Sequence, residues 1–390
     1  MRIPYARQNI SDEDIQEVVK VLKSDFLTQG PVVEKFESAI ANYCGASYGV
    51  AVNSGTSALH IACLALEVGI GDYVWTSPIT FVATANAALY CGAKVDFVDI
   101  DPKTSNLCPL RLEEKLIQAE KDGRLPKVVI PVHIAGQATH LKEIHKLSKK
   151  YDFKIIEDAS HAIGAKYDNN PIGGCQYSDI TVFSFHPVKI ITSGEGGMAV
   201  TNKIEYAQKM ARLRSHGITR DPDFMENKPD GRWFYEQLEL GFNYRMTDIQ
   251  AALGLSQFKR LDSFIEERHK ISKFYNENIR LEGVDLNIDV DGSYSAKHLF
   301  VIRVNEKASF DRSQLYNKFT LEGIGVNVHY RPIYQQQYYM QFQFNALDYL
   351  ESENYYKQAL SIPMYVGLTE NQQEQIIEVI NKPTGYQNIF

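Results

Sequence analysis

Three stretches of the chain combine residue types that could do chemistry together. The first, Asn53–Leu59, follows an apolar run and opens a helical pattern. Gly55 permits a tight turn there. Thr56 and Ser57 fall in the first helical turn, where free N–H groups and the helix dipole favour a phosphate. An ordinary strand-to-helix turn with a hydroxyl cap has the same pattern, so this stretch leaves both interpretations open.

The second stretch ends an apolar run with the acidic residue Asp158. Open α/β sheets bind their ligands at the carboxyl ends of buried strands. A carboxylate there could cap a helix, bind a metal or hold a protonated ring nitrogen. A metal is the weakest of the three, because no HxxxH or comparable ligand cluster lies nearby. His161 could orient a ligand beside Asp158, although a lone histidine is more often structural.

The third stretch places Ser184 at the end of a predicted strand and Lys189 in an apolar segment before a Gly-rich turn. An apolar setting disfavours the ammonium, lowers its pKa and frees the amine as a nucleophile for Schiff-base formation. The commoner fate of a lysine is to reach solvent from a strand end. His186 lies between the two residues and receives no role.

Taken together, the three stretches fit one ligand. A phosphate cradle, an acidic partner for a pyridinium nitrogen and a lysine for an aldehyde are what pyridoxal 5′-phosphate requires. Their order along the chain, the cradle first, then Asp158, then Lys189, agrees with that interpretation.

Such a site needs a sheet that brings several strand ends to one edge. Continuous apolar runs, typical of strands buried on both faces, predict a mainly parallel sheet with helices between the strands. The predicted strands are 48–52, 73–76, 94–98, 128–132 and 154–156, followed by a pair, 179–185 and 198–201, around a Gly-rich turn. The predicted helices between them are 56–68, 81–90 and 141–150.

The pattern changes near Thr247. A capping box at Thr247–Gln250 predicts a helix that continues to about Asn278. Beyond it, apolar runs at 298–304 and 325–330 and a helix at 312–322 predict a smaller α/β domain. We therefore expect an α/β protein with a large domain, residues 1–250, and a small C-terminal domain, residues 251–390, that includes the linking helix. The polar segment 221–232, with two prolines, is predicted to be an exposed loop.

Composition excludes several classes of protein. Of 390 residues, 44% are hydrophobic and 23% are charged, which is ordinary for a globular chain. The net charge of -7 supplies no global basic field for nucleic acid or an anionic membrane. The five cysteines show no metal-binding spacing, and no signal peptide or apolar run of membrane-spanning length is visible. These features predict a cytoplasmic protein with reduced thiols and without a metal.

Several ordered motifs give the chain a specific resemblance. It resembles the DegT/DnrJ/EryC1 family of sugar aminotransferases, within the fold-type I pyridoxal phosphate enzymes, over nearly its whole length. The motifs that carry the resemblance are Asn53–Leu59, Ile79–Thr84, Glu157–His161, Phe183–Lys189, Glu195–Gly197, Arg214–Gly217, Gly241–Met246 and Val328–Arg331.

The resemblance implies roles for single residues. Lys189 would form the Schiff base with the cofactor and then move a proton between the sugar C4 and the cofactor. Asp158 would keep the pyridine nitrogen protonated, His161 would lie near the ring hydroxyl, and Phe81 would stack on the ring. Some members of the family are sugar dehydratases with a histidine in place of the lysine, and Lys189 argues against that branch.

The resemblance also implies how the phosphate is held. Gly55, Thr56, Ser57 and Ser184 would bind it from one subunit. Asn243 would reach the phosphate of the neighbouring subunit's cofactor, so a homodimer is expected.

Within the family, the chain is most similar to the aminotransferases of pseudaminic acid synthesis. This implies transfer of an amino group from L-glutamate to C4 of UDP-2-acetamido-2,6-dideoxy-β-L-arabino-hex-4-ulose. The residues implied to contact the nucleotide sugar are Tyr5, Asp25, Phe26, Leu27, Thr28, Val328, His329, Tyr330 and Arg331. The tyrosine-rich run 334–339 is predicted to be a packed surface helix rather than part of the substrate site.

Alternatives remain open at this stage. The same chemistry could serve another nucleotide 4-keto sugar, of the bacillosamine, perosamine or 4-amino-arabinose type. A non-catalytic regulator could use the fold only to bind a ligand, although a binder need not keep Lys189. An oxidoreductase is disfavoured, because the glycine pattern at 53–59 is not GxGxxG.

Overall fold

The fold is described by a computed structural model, which covers residues 3–286 and 288–382. The ends of both predicted domains, residues 1–2 and 383–390, lie outside the described residues. The helices are α1 (Asp12–Leu22), α2 (Pro31–Cys44), α3 (Gly55–Ala65), α4 (Val82–Tyr90), α5 (Pro109–Lys121), α6 (Leu141–Tyr151), α7 (Ile204–Leu213), α8 (Asp248–Phe258), α9 (Leu261–Asn278), α10 (Arg312–Leu321), α11 (Leu350–Gln358) and α12 (Glu370–Asn381).

The strands follow the same chain order. They are β1 (Tyr48–Val52), β2 (Tyr73–Thr76), β3 (Lys94–Phe97), β4 (Val128–Ile130), β5 (Lys154–Asp158), β6 (Lys166–Tyr167), β7 (Asn170–Pro171), β8 (Ile180–Ser184), β9 (Gly197–Thr201), β10 (Ile218–Thr219), β11 (Glu236–Gln237), β12 (Val284–Leu286), β13 (Ser293–Tyr294), β14 (Phe300–Val304) and β15 (Ala359–Ile362).

The central sheet of the described chain has seven strands in the order β1-β9-β8-β5-β4-β2-β3. Strands β3, β2, β4, β5 and β8 are parallel, whereas β9 runs antiparallel to both β8 and β1. Helices cover both faces, so residues such as Val129 and Ile156 are fully buried. The predicted mainly parallel sheet is confirmed, and its parallel order brings the carboxyl ends of β5 and β8 side by side.

The predicted continuous helix from Thr247 to Asn278 is wrong. The capping box at Thr247 is present, but α8 ends at Phe258 and α9 begins at Leu261, because Arg260 leaves the helical conformation. The Arg260 guanidinium there pairs with the carboxylate of Asp14, which is fully buried in α1. The break thus lets α8 pack on the N-terminal helix while α9 turns toward the C-terminal strands.

The C-terminal part has its own apolar cluster. It combines residues of α9, α10, α12, β14 and β15 with Ile3 from the N-terminal segment. The predicted strand at 325–330 is absent from the described structure: Asn327 makes an isolated bridge to Ser361, and Gly325 donates its N–H to Ile3. Ile3 thus bonds to both Gly323 and Gly325 through its backbone. The domain boundary at residue 250 stays a prediction.

Two further expectations concern surface segments. Residues 221–232 are largely exposed, as predicted, and contain a short 3-10 turn, Pro222–Phe224. The tyrosine-rich run forms 3-10 turns instead of the predicted helix, and Tyr334 and Tyr339 are buried against Phe97. Across the described residues, none of the helices combines the length and apolarity needed to cross a bilayer.

Candidate active site

A cavity of about 720 Å³ lies where β5, β8 and the N-terminus of α3 meet. All three chemical stretches found in the sequence contribute to its wall, through Gly55, Asp158 and Lys189 among others. The carboxyl ends of two adjacent parallel strands and a helix N-terminus therefore converge on one space, as the strand order requires.

The helix N-terminus supplies an anion-binding surface. The Ser54 hydroxyl accepts the N–H of Ser57 at 3.1 Å and so caps α3. The N–H groups of Gly55 and Thr56 lie in the first turn of α3 and have no partner inside the helix. A Cβ at Gly55 would lie 2.9 Å from the Cβ of Ser184, so only glycine lets the helix approach the end of β8 this closely. Gly55, Thr56 and Ser184 thus line a part of the cavity whose chemistry suits an anionic group such as a phosphate.

Ser57 follows Thr56 in the same helical turn, but its side chain has different contacts. Its hydroxyl donates to Oδ1 of Asn53 at 2.6 Å, and the residue does not line the cavity. Its N–H and hydroxyl both contact the Ser54 hydroxyl and so stabilise the cap, and its implied contact with the phosphate stays a prediction.

Asp158 ends β5 with a nearly buried carboxylate. Its Oδ2 accepts the Thr84 hydroxyl at 2.7 Å, and its Oδ1 accepts the N–H of Ser160 at 3.1 Å. A carboxylate has about four acceptor positions, so it can take a further donor from the cavity. The described residues contain no cluster of three or more side chains that could hold a metal ion. Of the three interpretations of Asp158, partnership with a protonated ring nitrogen fits best.

The Lys189 side chain lines the cavity. Its ammonium makes no hydrogen bond or ion pair within residues 3–286 and 288–382. Burial lowers the pKa of Lys189 to about 8, against the opposing effect of the Asp158 carboxylate. A substantial share of the amine is therefore neutral near physiological pH, as a nucleophile toward an aldehyde must be.

The loop that carries Lys189, residues 185–196, is closed at its base. The Phe185 N–H donates to the carbonyl of Gly196 at 2.9 Å, and the Ser193 N–H donates to the carbonyl of Phe185 at 3.0 Å. The Thr192 hydroxyl donates to the same carbonyl at 3.0 Å. None of these bonds involves the Lys189 side chain.

His161 lies deeper in the cavity wall. Its Nδ1 accepts the Ala135 N–H at 3.3 Å, and its Nε2 lies 3.2 Å from the Tyr330 hydroxyl. The ring of His298 packs 4.3 Å from it. Burial, followed by the nearby charge of Lys189, lowers the pKa of His161 well below its usual range.

Aromatic residues also line the cavity. Phe81 precedes α4 and is 57% exposed, with one side toward the cavity and its ring 6.2 Å from that of Tyr330. An uncovered aromatic face of this kind can stack on a flat ring.

The cavity is also lined by part of the implied substrate set: Tyr5, Val328, His329, Tyr330 and Arg331. His329 donates to or accepts from the Ser361 hydroxyl at 2.8 Å, and burial lowers its pKa to about 4. Arg331 is exposed, and its Nε reaches Gln335 at 3.4 Å. The guanidinium can therefore serve a diphosphate or a carboxylate.

The other implied residues do not line this cavity. Asp25, Phe26, Leu27 and Thr28 form an exposed segment after α1, anchored where the Asp248 N–H donates to the Thr28 carbonyl at 2.6 Å. Asn243 is also exposed and outside the cavity, and its backbone bridges to Ser215.

Thr84 and His298 are among the wall residues to which the sequence analysis assigned no role. Thr84 belongs to a quoted motif, and its hydroxyl touches Asp158. His298 lies in an apolar stretch about 140 residues away, and no local pattern indicated that its ring would pack on His161. The distance of His298 along the sequence from the other motifs gave no indication that it would lie in the site.

Comparison with known proteins identifies the family and supports the fold. Residues 8–381 match the DegT/DnrJ/EryC1/StrS aminotransferase family. A Campylobacter jejuni protein named UDP-4-amino-4,6-dideoxy-N-acetyl-beta-L-altrosamine transaminase is 38% identical over 365 residues, which cover 93% of this chain and 92% of that protein.

Two solved structures extend the comparison. Helicobacter pylori PseC, an aminotransferase of pseudaminic acid biosynthesis, has a TM-score of 0.88 at 30% identity, over 98% of this chain and 99% of that one. Spr1654 of Streptococcus pneumoniae, assigned as a sugar aminotransferase, has in its pyridoxal phosphate form a TM-score of 0.88 at 27% identity, with 98% of each chain covered. The chain therefore belongs to the DegT/DnrJ/EryC1/StrS aminotransferase family, as a sugar aminotransferase that uses pyridoxal phosphate.

Proposed function

We propose that the protein transfers the amino group of L-glutamate to C4 of UDP-2-acetamido-2,6-dideoxy-β-L-arabino-hex-4-ulose. The product would be UDP-4-amino-4,6-dideoxy-N-acetyl-β-L-altrosamine. The observation that carries the proposal is the Lys189 amine, which has no partner among the described residues, in a cavity shared with Asp158 and the proposed phosphate cradle. The choice of sugar is supported by the printed functions of the Campylobacter and Helicobacter relatives.

The residues present fit the cofactor at three points. Gly55, Thr56 and Ser184 would hold its phosphate, Asp158 its ring nitrogen, and Lys189 its aldehyde carbon. When bound, pyridoxal phosphate supplies an electron sink for the electrons freed when a proton leaves the carbon that bears the nitrogen. Phe81 would keep the ring in place from its uncovered side.

Three residues of the chain would carry out proton transfer, stabilise the charge on the ring nitrogen and bind the anionic group of the substrate. The neutral Lys189 amine would take the proton from the glutamate carbon that bears the nitrogen and deliver it to the cofactor carbon that receives the nitrogen. In the second half of the reaction it would move a proton from that cofactor carbon to C4 of the sugar. Asp158, held by Thr84 and Ser160, would keep a positive charge next to it on the ring nitrogen. Arg331 at the mouth would bind an anionic group of either substrate.

The exposed positions of Asn243 and of segment 25–28 support a proposed homodimer. Both lie outside this chain's cavity, although the family resemblance implies that they contact bound ligands. A second copy of the chain that placed its Asn243 at the phosphate would account for both the exposed position of this residue and its implied contact. The site would then be complete only in the dimer.

A substrate panel tests the sugar. Purified protein loaded with pyridoxal phosphate is incubated with L-glutamate and, separately, with the proposed UDP-keto sugar and with the keto sugars of the bacillosamine, perosamine and 4-amino-arabinose types. We expect the highest kcat/KM for the proposed sugar. A higher value for any other sugar would refute the assignment while leaving aminotransfer intact.

A further inference from the structure

Ala135, beside the active-site cavity, has a backbone conformation that is uncommon for a residue with a side chain. Its φ of 57° and ψ of 11° lie in the left-handed region. Hydrogen bonds to its carbonyl hold it there, from the N–H of His298 at 2.9 Å and from that of Leu299 at 3.3 Å. Strained residues of this kind persist where the surroundings fix them, and they cluster at functional sites. Here the conformation points the Ala135 N–H at Nδ1 of His161.

This N–H determines where the His161 ring carries its proton. A backbone N–H can only donate, so Nδ1 must be the acceptor and carries no hydrogen. The neutral ring is then protonated at Nε2, the atom that lies 3.2 Å from the Tyr330 hydroxyl. His161 therefore donates to the Tyr330 oxygen.

The surroundings keep the ring neutral. The titratable groups that face His161 are Lys189, His298, His329 and Tyr330, and none of them is an anion paired with it. A protonated His161 would face the Lys189 charge in a buried setting. The His298 ring, 4.3 Å away and with its Nδ1 unpartnered in the described structure, restricts rotation of the imidazole.

The direction of these bonds leaves one hydrogen unused. The Tyr330 oxygen accepts from His161, and its own O–H has no protein acceptor in the described part of the chain. Burial raises the pKa of Tyr330 well above its usual value, so the phenol keeps that hydrogen. Tyr330 also lines the cavity, where the hydrogen can meet a ligand.

We propose that the Ala135–His161–Tyr330 chain fixes Tyr330 as a hydrogen-bond donor to an acceptor oxygen of the bound ligand. Two oxygens have the required chemistry: the ring oxygen of the cofactor and the C4 carbonyl oxygen of the keto sugar. Ala135 and His161 act as positioning residues, because they set the direction without contacting that oxygen. The identity of the ligand rests on the proposed function; the direction of the bonds does not.

The direction is tested on the apoprotein by NMR of ¹⁵N-labelled histidine, with His161 assigned by its loss in His161→Gln. We expect a single tautomer, protonated at Nε2, between pH 6 and pH 8, because the Ala135 N–H fixes it. The same tautomer should persist in Tyr330→Phe. A ring protonated at Nδ1, a mixture of tautomers or an imidazolium would overturn the proposal. This readout needs neither cofactor nor turnover, so it can fail while the proposed function stands.

The acceptor is tested in the loaded enzyme with Tyr330→Phe, and Tyr294→Phe, on a surface strand outside the cavity, is the matched control. If the acceptor is the cofactor oxygen, the pH titration of the visible absorbance shifts while KM for the sugar stays. If it is the sugar carbonyl, that titration stays, and KM rises by about threefold to tenfold, the size of one neutral hydrogen bond. Either result supports the proposal. A Tyr330→Phe enzyme that matches the control in both measurements would overturn it.

Discussion

The Thr84 hydroxyl donates to Oδ2 of Asp158 at 2.7 Å and joins the first turn of α4 to the end of β5. The same hydroxyl lies 2.8 Å from that of Thr80, which can donate to it in turn. Two buried hydroxyls thus orient the one carboxylate that faces the predicted ring nitrogen.

Removing this support should weaken cofactor binding. In Thr84→Val the shape is kept and the donor is lost, so the carboxylate is free to turn away from the ring. A hydrogen bond to a charged group contributes about 1.5–3 kcal/mol, which corresponds to a dissociation constant for pyridoxal phosphate raised by about tenfold to a hundredfold. Titration of the apoprotein, followed by visible absorbance, measures it. Thr320→Val, on the exposed face of α10, is the control and should bind as the wild type does.

Replacing the nucleophile should separate binding from turnover. In Lys189→Ala we expect pyridoxal phosphate to bind through the cradle and Asp158 but to remain removable by dialysis. Borohydride should then fail to fix it to the protein, and amination should fall below detection. Lys146→Ala, on the exposed face of α6, should leave both unchanged. Substantial turnover by Lys189→Ala would rule out this lysine as the catalytic amine.

The lowered pKa of Lys189 predicts a pH dependence for cofactor uptake. The neutral amine is the reactive form, so the rate at which the apoprotein forms the Schiff base should rise with pH and level off above about pH 8. Stopped-flow absorbance measures this rate. An inflection near pH 10, the ordinary value for a lysine, would contradict the desolvated environment.

The same shift should appear in stability. The unfolded chain keeps this lysine protonated up to its ordinary pKa of about 10.4, whereas the folded chain loses the proton near pH 8. Between these values the unfolded state binds more protons, so the free energy of unfolding of the apoprotein gains a contribution that grows with pH. Urea titrations at several pH values should show this slope in the wild type and lack it in Lys189→Met.

Gly55 offers a test of the phosphate cradle. In Gly55→Ala the new methyl would meet the Cβ of Ser184 at 2.9 Å, so α3 must move away from the end of β8. Such overpacking costs about 1–3 kcal/mol, and we expect it to appear mainly as weaker binding of the cofactor phosphate. A Cβ at Gly69 would meet nothing within 4 Å, so Gly69→Ala is the matched control. Equal cofactor affinities in the two variants would place the phosphate elsewhere.

The proposed dimer predicts complementation between two damaged chains. If Asn243 serves the site of the other protomer, a mixed dimer of Lys189→Ala and Asn243→Ala contains one site with both native residues. Chains unfolded together and refolded at equal amounts should then regain about a quarter of the wild-type activity, because half of the dimers are mixed and each has one such site. If Asn243 serves its own protomer, mixing should restore nothing.

Much of the site could be predicted because its parts are local in sequence. Asp158 and Ser184 end apolar runs, and Gly55 opens a helix, so each is visible as a strand or helix boundary. The parallel sheet then requires adjacent strands to end at one edge.

The parts that escaped prediction depend on distant residues. The break between α8 and α9 is set by Arg260 reaching Asp14, which lies 246 residues earlier. The left-handed Ala135 is held by the backbone at His298 and Leu299. Neither partner is visible in the local pattern, because tertiary contacts override helix and turn propensities.

The closed base of the loop 185–196 has a mechanical consequence. In the proposed reaction Lys189 releases the cofactor and rebinds it in every cycle. The hydrogen bonds that hold its loop come from main-chain groups and from the side chains of Thr192, Ser193 and Gln250, and the Lys189 side chain makes none of them. Release of the cofactor by Lys189 therefore breaks none of the hydrogen bonds that hold the loop. The movement of the amine between its bound and free positions is limited to rotations about the four side-chain bonds of Lys189. For the same reason, a substitution at position 189 should leave the conformation of the loop 185–196 unchanged.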